Sequence, residues 1–153
     1  MLTSPVIFLL VRIGERGRLV ALDYAEKMLE KARAKGFDRD RIDFLCADVT
    51  NLPLYHEIFD AAVCYSSFPH FRDKLRACAE INRVLKPGGR LFVCHTSSRY
   101  EINQVHRSIP AVQSDLIPQE SEMRRIISAA GFVDVTFAED SSKGYLVTAR
   151  KPE

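Results

Sequence analysis

The chain has 153 residues, 46% hydrophobic and 27% charged, with a formal net charge of +2. That length suits one domain, residues 1–153, able to bury a core without disulfides or metals. The composition excludes a disordered or collagen-like chain and one dominated by membrane spans. The 22 basic and 20 acidic residues give no electrostatic case for nucleic acid or an acidic membrane.

In chain order, Ser4-Pro5 opens a helix over about 5–13, stopped near Gly14. Val6, Ile7 and Val11 would also suit a strand. Only the short turn 14–17 precedes the next apolar run, however, and a parallel crossover needs a dozen or more residues. The run 5–11 is also far too short to span a bilayer and lacks the flanks of a signal peptide. A buried strand follows at 18–23 (RLVALD), then an amphipathic helix at 25–35 with Met28, Leu29 and Ala32 as its apolar stripe. Gly36 ends that helix, with Phe37 folding back. Strands are expected at 42–47 (IDFLCA) and 60–65 (DAAVCY). A helix at 72–85 turns Leu75, Cys78, Ala79 and Leu85 inward, and Lys86-Pro87-Gly88-Gly89 forms a turn. A strand at 90–95, short helices near 101–108 and 120–130, and a hairpin of 132–138 with 145–150 complete the pattern. Apolar strands alternating with amphipathic helices predict an α/β layer fold, its sheet mostly parallel with an antiparallel C-terminal hairpin.

Cys46, Cys64, Cys78 and Cys94 form no CxxC pair. They read as core thiols of a reduced, cytoplasmic chain. His56, His70, His95 and His106 lack metal-ligand spacing, so no metal is expected, and their default role is surface or core. Arg12, Arg16, Arg18, Arg124 and Arg125 are interspersed with acids and read as a solvated face.

Open α/β sheets bind ligands beyond the carboxyl ends of their strands. Asp23 stands at such an end, where a carboxylate can accept two hydrogen bonds from a ribose diol or cap the next helix. Asp48, after the following strand, fits an adenine amino group, with Val49 beside the ring; an ordinary loop aspartate is the competing reading.

Taken in order, GRLVALDYAEKMLEKARAKG, IDFLCADVTNLPL, FDAAVCYSSFPHF, AEINRVLKPGGRLFVCH and SEMRRIISAAGFVDVTFAED resemble the class I S-adenosylmethionine-dependent methyltransferases. The resemblance runs from about residue 14 to the C-terminus. It implies a Rossmann-like sheet and S-adenosylmethionine as cofactor. By position, Asp23 would hold the ribose, Tyr24 and Met28 would lie near the adenine, and Asp48 and Val49 would bind its edge. Tyr65 and Ser66 would line the path to the methionine end. A nicotinamide dehydrogenase would share the acid at Asp23, but not Asp48, the LKPGG turn and the closing hairpin.

One part of the family pattern is missing. Its glycine-rich turn would precede Asp23 by about 20 residues, near Thr3, where there is no GxG and no preceding strand. The expectation is therefore an N-terminally truncated fold lacking its first strand and glycine loop, with weak or absent cofactor binding. The missing strand is central in the family's order 3-2-1-4-5-7-6. Strands 18–23 and 60–65 would then re-pair directly, or another copy of the chain would fill the gap as a homo-oligomer.

Methyl transfer is an in-line displacement that needs a base only when the acceptor loses a proton. His70 and His95 each follow a strand at the ligand edge and are the catalytic candidates. Segment 97–118 falls where this family places substrate-covering structure. Arg99, Tyr100 and His106 are candidate acceptor contacts there, with a solvated cap as the competing reading. The expected function is a methyltransferase for a small-molecule acceptor. The alternative is an inactive, truncated relative serving as an oligomeric or partner-binding module.

Overall fold

A computed structural model describes residues 16–36, 40–140 and 144–153. The helix expected at 5–13, the fold-back of Phe37 and the tip of the last hairpin lie outside them. The chain divides into two compact units, residues 1–53 and 54–153.

The first unit is a βαβ crossover. Strand β1 (Leu19–Asp23) pairs in parallel with β2 (Ile42–Cys46), in register from Leu19 opposite Ile42 to Asp23 opposite Cys46. Helix α1 (Glu26–Arg33) makes the connection that parallel strands require. It buries Leu29 and Ala32, while Met28 is half-buried. Glu26 in its first turn and Lys31 and Arg33 in its last complement the helix dipole. The Arg33 guanidinium bonds Glu26 at 2.8 Å and lies over the Phe44 ring.

The second unit carries a four-stranded sheet. Strand β3 (Phe59–Tyr65) pairs in parallel with β4 (Leu85–His95). Strand β6 (Gly144–Arg150) runs antiparallel between β4 and β5 (Val133–Asp140). Directly opposed residues of an antiparallel pair share a face. Leu91 with Ala149, Val93 with Val147 and His95 with Tyr145 thus make one buried row. Helix α2 (Lys74–Val84) is capped by Asp73, which accepts from the Arg76 amide. Helices α3 (Arg99–Ser108) and α4 (Glu120–Ala129) follow, and α4 buries Met123 and Ile127.

Three local expectations change. Helix α2 turns Ala77, Cys78, Ile81 and Val84 inward, whereas Leu75 and Ala79 are exposed. The inward stripe of Ala77, Cys78, Ile81 and Val84 keeps helical spacing, and Leu75 falls outside it. Lys86–Gly89 does turn, but inside β4 and not before it. The pairing moves from Phe59–Leu85 to Ala61–Arg90, so the segment bulges out of the strand. Gly88 has φ +74°, and a Cβ at Gly89 would stand 2.8 Å from the Lys86 carbonyl. The C-terminal segment clasps the bulge: the Gly88 amide donates to the Lys151 carbonyl, and the Lys151 amide to the Gly89 carbonyl at 2.8 Å. Finally, Cys64 and Cys78 are buried thiols, with burial pushing Cys78 up to about 12, but Cys46 is exposed.

No helix among the described residues is long and apolar enough to cross a membrane.

Candidate functional site

In the first unit, the parallel register of β1 and β2 brings two acids to the same strand-end edge. The Asp23 carboxylate accepts the Ala25 amide through Oδ1 at 2.8 Å, an Asx-type turn that leads the chain into α1. Oδ2 has no hydrogen bond among the described residues. Tyr24 projects into solvent, 81% exposed. The Ala47 amide donates to the Asp23 carbonyl at 3.1 Å, fixing the exit of β2. Asp48 Oδ1 accepts from both the amide and the hydroxyl of Thr50 at 2.8 Å, so this carboxylate is held in one orientation. Asp48 is exposed and Val49 half-buried. Beside this edge, Glu26 lies below the usual carboxylate range, chiefly because it pairs with Arg33.

In the second unit, β3 ends at half-buried Tyr65. Ser66 follows with φ +48°, its amide donating to the Cys94 carbonyl at 2.9 Å. A non-glycine residue held in the left-handed region is uncommon and concentrates at functional sites. The next turn, Phe68–His70, is anchored by fully buried Phe68 and Pro69, with Phe71 packed on Phe68. Lys74 Nζ donates to the carbonyls of Pro69 and Phe71, which holds the turn from α2. His70 is thereby fixed at the strand edge.

Two more elements converge on His70. Its Nδ1 donates to Asp115 Oδ2 at 2.9 Å, and its ring lies 5.1 Å from that of His106 on α3. The Nδ1 of His106 donates to the main-chain carbonyl of Asp115. The loop bearing Asp115 is itself pinned. Buried Asn103 donates to the Ile117 carbonyl at 3.0 Å and accepts the Ile117 amide at 2.8 Å. A capping box between Ser98 and Glu101 starts α3 at a fixed point.

His95, at the end of β4, is only 7% exposed, and its cross-strand partner Tyr145 only 4%. Among the described residues, neither His95 Nε2 nor the Tyr145 hydroxyl has a hydrogen-bond partner. Burial pushes His95 down to about 4, with His106 and His70 adding to the shift. Burial pushes the Tyr145 phenol up. The site thus combines a neutral buried imidazole, a neutral buried phenol and a more exposed imidazole–carboxylate pair. The described residues contain no His, Cys, Asp and Glu group able to hold a metal ion.

A family model described as "Methyltransferase domain" matches residues 3–93, more than half of the chain. The chain belongs to the class I S-adenosylmethionine-dependent methyltransferases. A demethylmenaquinone methyltransferase of Clavibacter sepedonicus is 38% identical over 80 residues, 52% of this chain and 33% of the relative. The chain spans about a third of the length of the curated relatives it matches. Among solved structures, a chain of the Haloferax volcanii complex between the Trm112 methyltransferase activator and a methyltransferase superposes with TM-score 0.75 at 21% identity. That match covers 98% of this chain and 79% of the other. A SAM-dependent methyltransferase of Thermotoga maritima gives TM-score 0.71 at 21% identity, covering 95% and 86%. These likenesses establish the Rossmann-like methyltransferase fold.

Within this methyltransferase domain, the first unit brings Asp23, Tyr24, Met28, Asp48 and Val49 onto one βαβ crossover. The second collects His70, His95 and His106. Tyr100 is exposed, its hydroxyl bonded by Gln104 of its own helix, and the Arg99 amide donates to Glu139 at 2.7 Å. Asp115, Asn103 and Tyr145 were not legible as site residues. Asp115 meets His70 across 45 positions, and no local pattern marks such a contact.

His95 makes a pH prediction. Its folded value, about 4, lies below an ordinary histidine's 6.5. Between these values the unfolded chain binds a proton that the folded chain does not. This contribution is complete above about pH 6.5 and is lost as pH falls toward 4, to a total of about 3 kcal/mol. Chemical denaturation of the wild type and of His95→Phe across pH 4–7 should show a flatter slope in the variant. Equal slopes would remove His95 as the cause.

Proposed function

We propose that this chain forms the core of an S-adenosylmethionine-dependent methyltransferase acting on a small-molecule acceptor. The observation that carries the reading is the pair of acids closing adjacent parallel strands, with Asp23 using one oxygen in the turn before α1 and leaving the other for a ligand. A ribose hydroxyl suits that second oxygen, since an ionised carboxylate only accepts. The turn and the ligand therefore do not compete. Asp48, oriented by Thr50, suits the exocyclic amine of adenine, with Val49, Tyr24 and Met28 as apolar neighbours. The two accepting carboxylates at these strand ends fit the adenosine half of the cofactor. When bound, that cofactor supplies an electrophilic methyl group.

The family pattern assigns Tyr65 and Ser66 to the methionine end of the cofactor. His70 serves as the base for the acceptor. His95, buried and neutral, contributes to the wall of the site together with Tyr145. The substrate named for the curated relatives, demethylmenaquinone, supports a small-molecule acceptor.

Calorimetric titration with S-adenosylhomocysteine tests the reading. It uses this chain and a version extended at its amino end by a strand and glycine-rich turn. One-to-one binding is expected, tighter in the extended chain because its backbone amides reach the cofactor's carboxylate. Absence of binding in both would overturn the proposal in favour of an inactive partner-binding module.

A further inference from the structure

We infer that Arg90 and Arg150 form a binding site for a phosphoryl dianion on the outer face of the four-stranded sheet. The two arginines stand directly opposite each other on β4 and β6, an arrangement in which like charges repel. With Asp134, Thr148 and Ala149 they line a surface cavity of about 200 Å³. Arg90 is exposed and has no hydrogen bond or ion pair among the described residues. All the donors of its guanidinium are therefore free. The site lies at the far end of the β4–β6 ladder from His95, five residues and about 17 Å along the strand. Side chains alternate along a strand, so Arg90 and His95 also point to opposite faces of the sheet.

The neighbouring strand holds Arg150 in place. From Val133 to Thr136, β5 advances three residues against two on β6, a bulge of the kind that re-aims a side chain. Asp134, inside it, takes φ +54°. For a residue other than glycine this left-handed conformation is uncommon and concentrates at functional sites. Asp134 Oδ2 lies 2.9 Å from Arg150 Nε and 2.8 Å from Nη2. One edge of that guanidinium is thus fixed, and Nη1 remains. Its nearest carboxylate is Glu153, at 3.9 Å, beyond hydrogen-bonding distance. Asp134 offsets one of the two cations, and Arg90 is left without a counterion. A phosphoryl dianion carries nearly two charges on three acceptor oxygens, so it can engage Arg90 and Arg150 Nη1 together. A lone carboxylate satisfies one planar fork, and Asp134 already supplies one. Free phosphate and a phosphate ester share this chemistry.

The test is a titration with inorganic phosphate, and separately with methyl phosphate, at constant ionic strength and about pH 8, where both are dianions. It is followed in ¹H–¹⁵N spectra of the arginine Nε–H groups and by thermal unfolding. The Arg90 and Arg150 signals should shift along one saturable curve, and phosphate should raise the melting temperature. Arg90→Gln should weaken binding about 10-fold or more. Without phosphate it should not lower the melting temperature, because Arg90 bonds nothing among the described residues and faces a second cation. Equal binding of the ester would assign the site to phosphoryl groups in general, and binding of inorganic phosphate alone to the free ion. Unsaturable shifts that sodium chloride reproduces would overturn the inference, as would acetate binding as tightly as phosphate. So would unchanged affinity in Arg90→Gln, or a loss of stability in that variant before any anion is added.

Discussion

Gly144→Ala is expected to lower stability by about 3–5 kcal/mol, combining backbone strain with overpacking. Gly144 opens β6 at φ +91°, a conformation unfavourable for L side chains, and a Cβ there would stand 2.2 Å from the His95 carbonyl oxygen. The obstacle is backbone in the β4 ladder, so no rotamer change can relieve it. For a chain of this size the loss corresponds to a fall in melting temperature of about 10 °C. Gly36→Ala is the control. Gly36 also has positive φ, +73°, but nothing lies within 4 Å of its added Cβ. It should cost only about 1–2 kcal/mol of strain. Thermal unfolding of the two variants separates strain from close approach. Equal losses would show that the contact between Gly144 and His95 has no special weight. Because Tyr145 follows Gly144 and pairs with His95, the larger loss should also disturb the buried pair, visible as a rise of the His95 titration toward an ordinary value.

Asp23→Asn is expected to weaken S-adenosylhomocysteine binding by about 10- to 100-fold while leaving the melting temperature nearly unchanged. The amide oxygen of asparagine can still accept the Ala25 amide, so the turn before α1 survives. What changes is the second oxygen, which becomes a donor and cannot accept from a ribose hydroxyl. A hydrogen bond to a charged group contributes about 1.5–3 kcal/mol, which sets the scale of the loss. Asp23→Ala also removes the turn hydrogen bond to the Ala25 amide, so it should add about 1 kcal/mol of destabilisation to the lost affinity. Calorimetry and thermal unfolding on the same two variants distinguish the roles. Unchanged affinity in Asp23→Asn would assign Asp23 to the turn alone.

Most elements were legible because each carries a local signal. The runs LVALD and LFVCH are too continuously apolar for a solvent-facing segment, and the helix at Glu26–Arg33 shows its stripe through Leu29 and Ala32. The errors came where local signals and tertiary packing compete. Leu75 is apolar, yet the inner face of α2 is the stripe Ala77, Cys78, Ile81 and Val84 at helical spacing, and Leu75 falls outside it. Lys86-Pro87-Gly88-Gly89 reads as an end to regular structure. In the fold it is a bulge that pairing with β3 and the Lys151 clasp keep within the strand.

The candidate site divides in the same way. Asp23, Asp48, His70 and His95 were visible because each stands just after a strand, and strand ends are where open α/β sheets place ligands. By itself the sequence determined the alternation of strands and helices, the family, and these strand-end residues, all of which depend on patterns within a few neighbouring positions. Only the tertiary structure decided that Asp115 turns to His70, that Asn103 holds its loop, and that Tyr145 buries His95 in neutral form. Those pairings join residues tens of positions apart. They depend on how helices and strands are rotated and registered against one another, which is settled by packing rather than by local propensity.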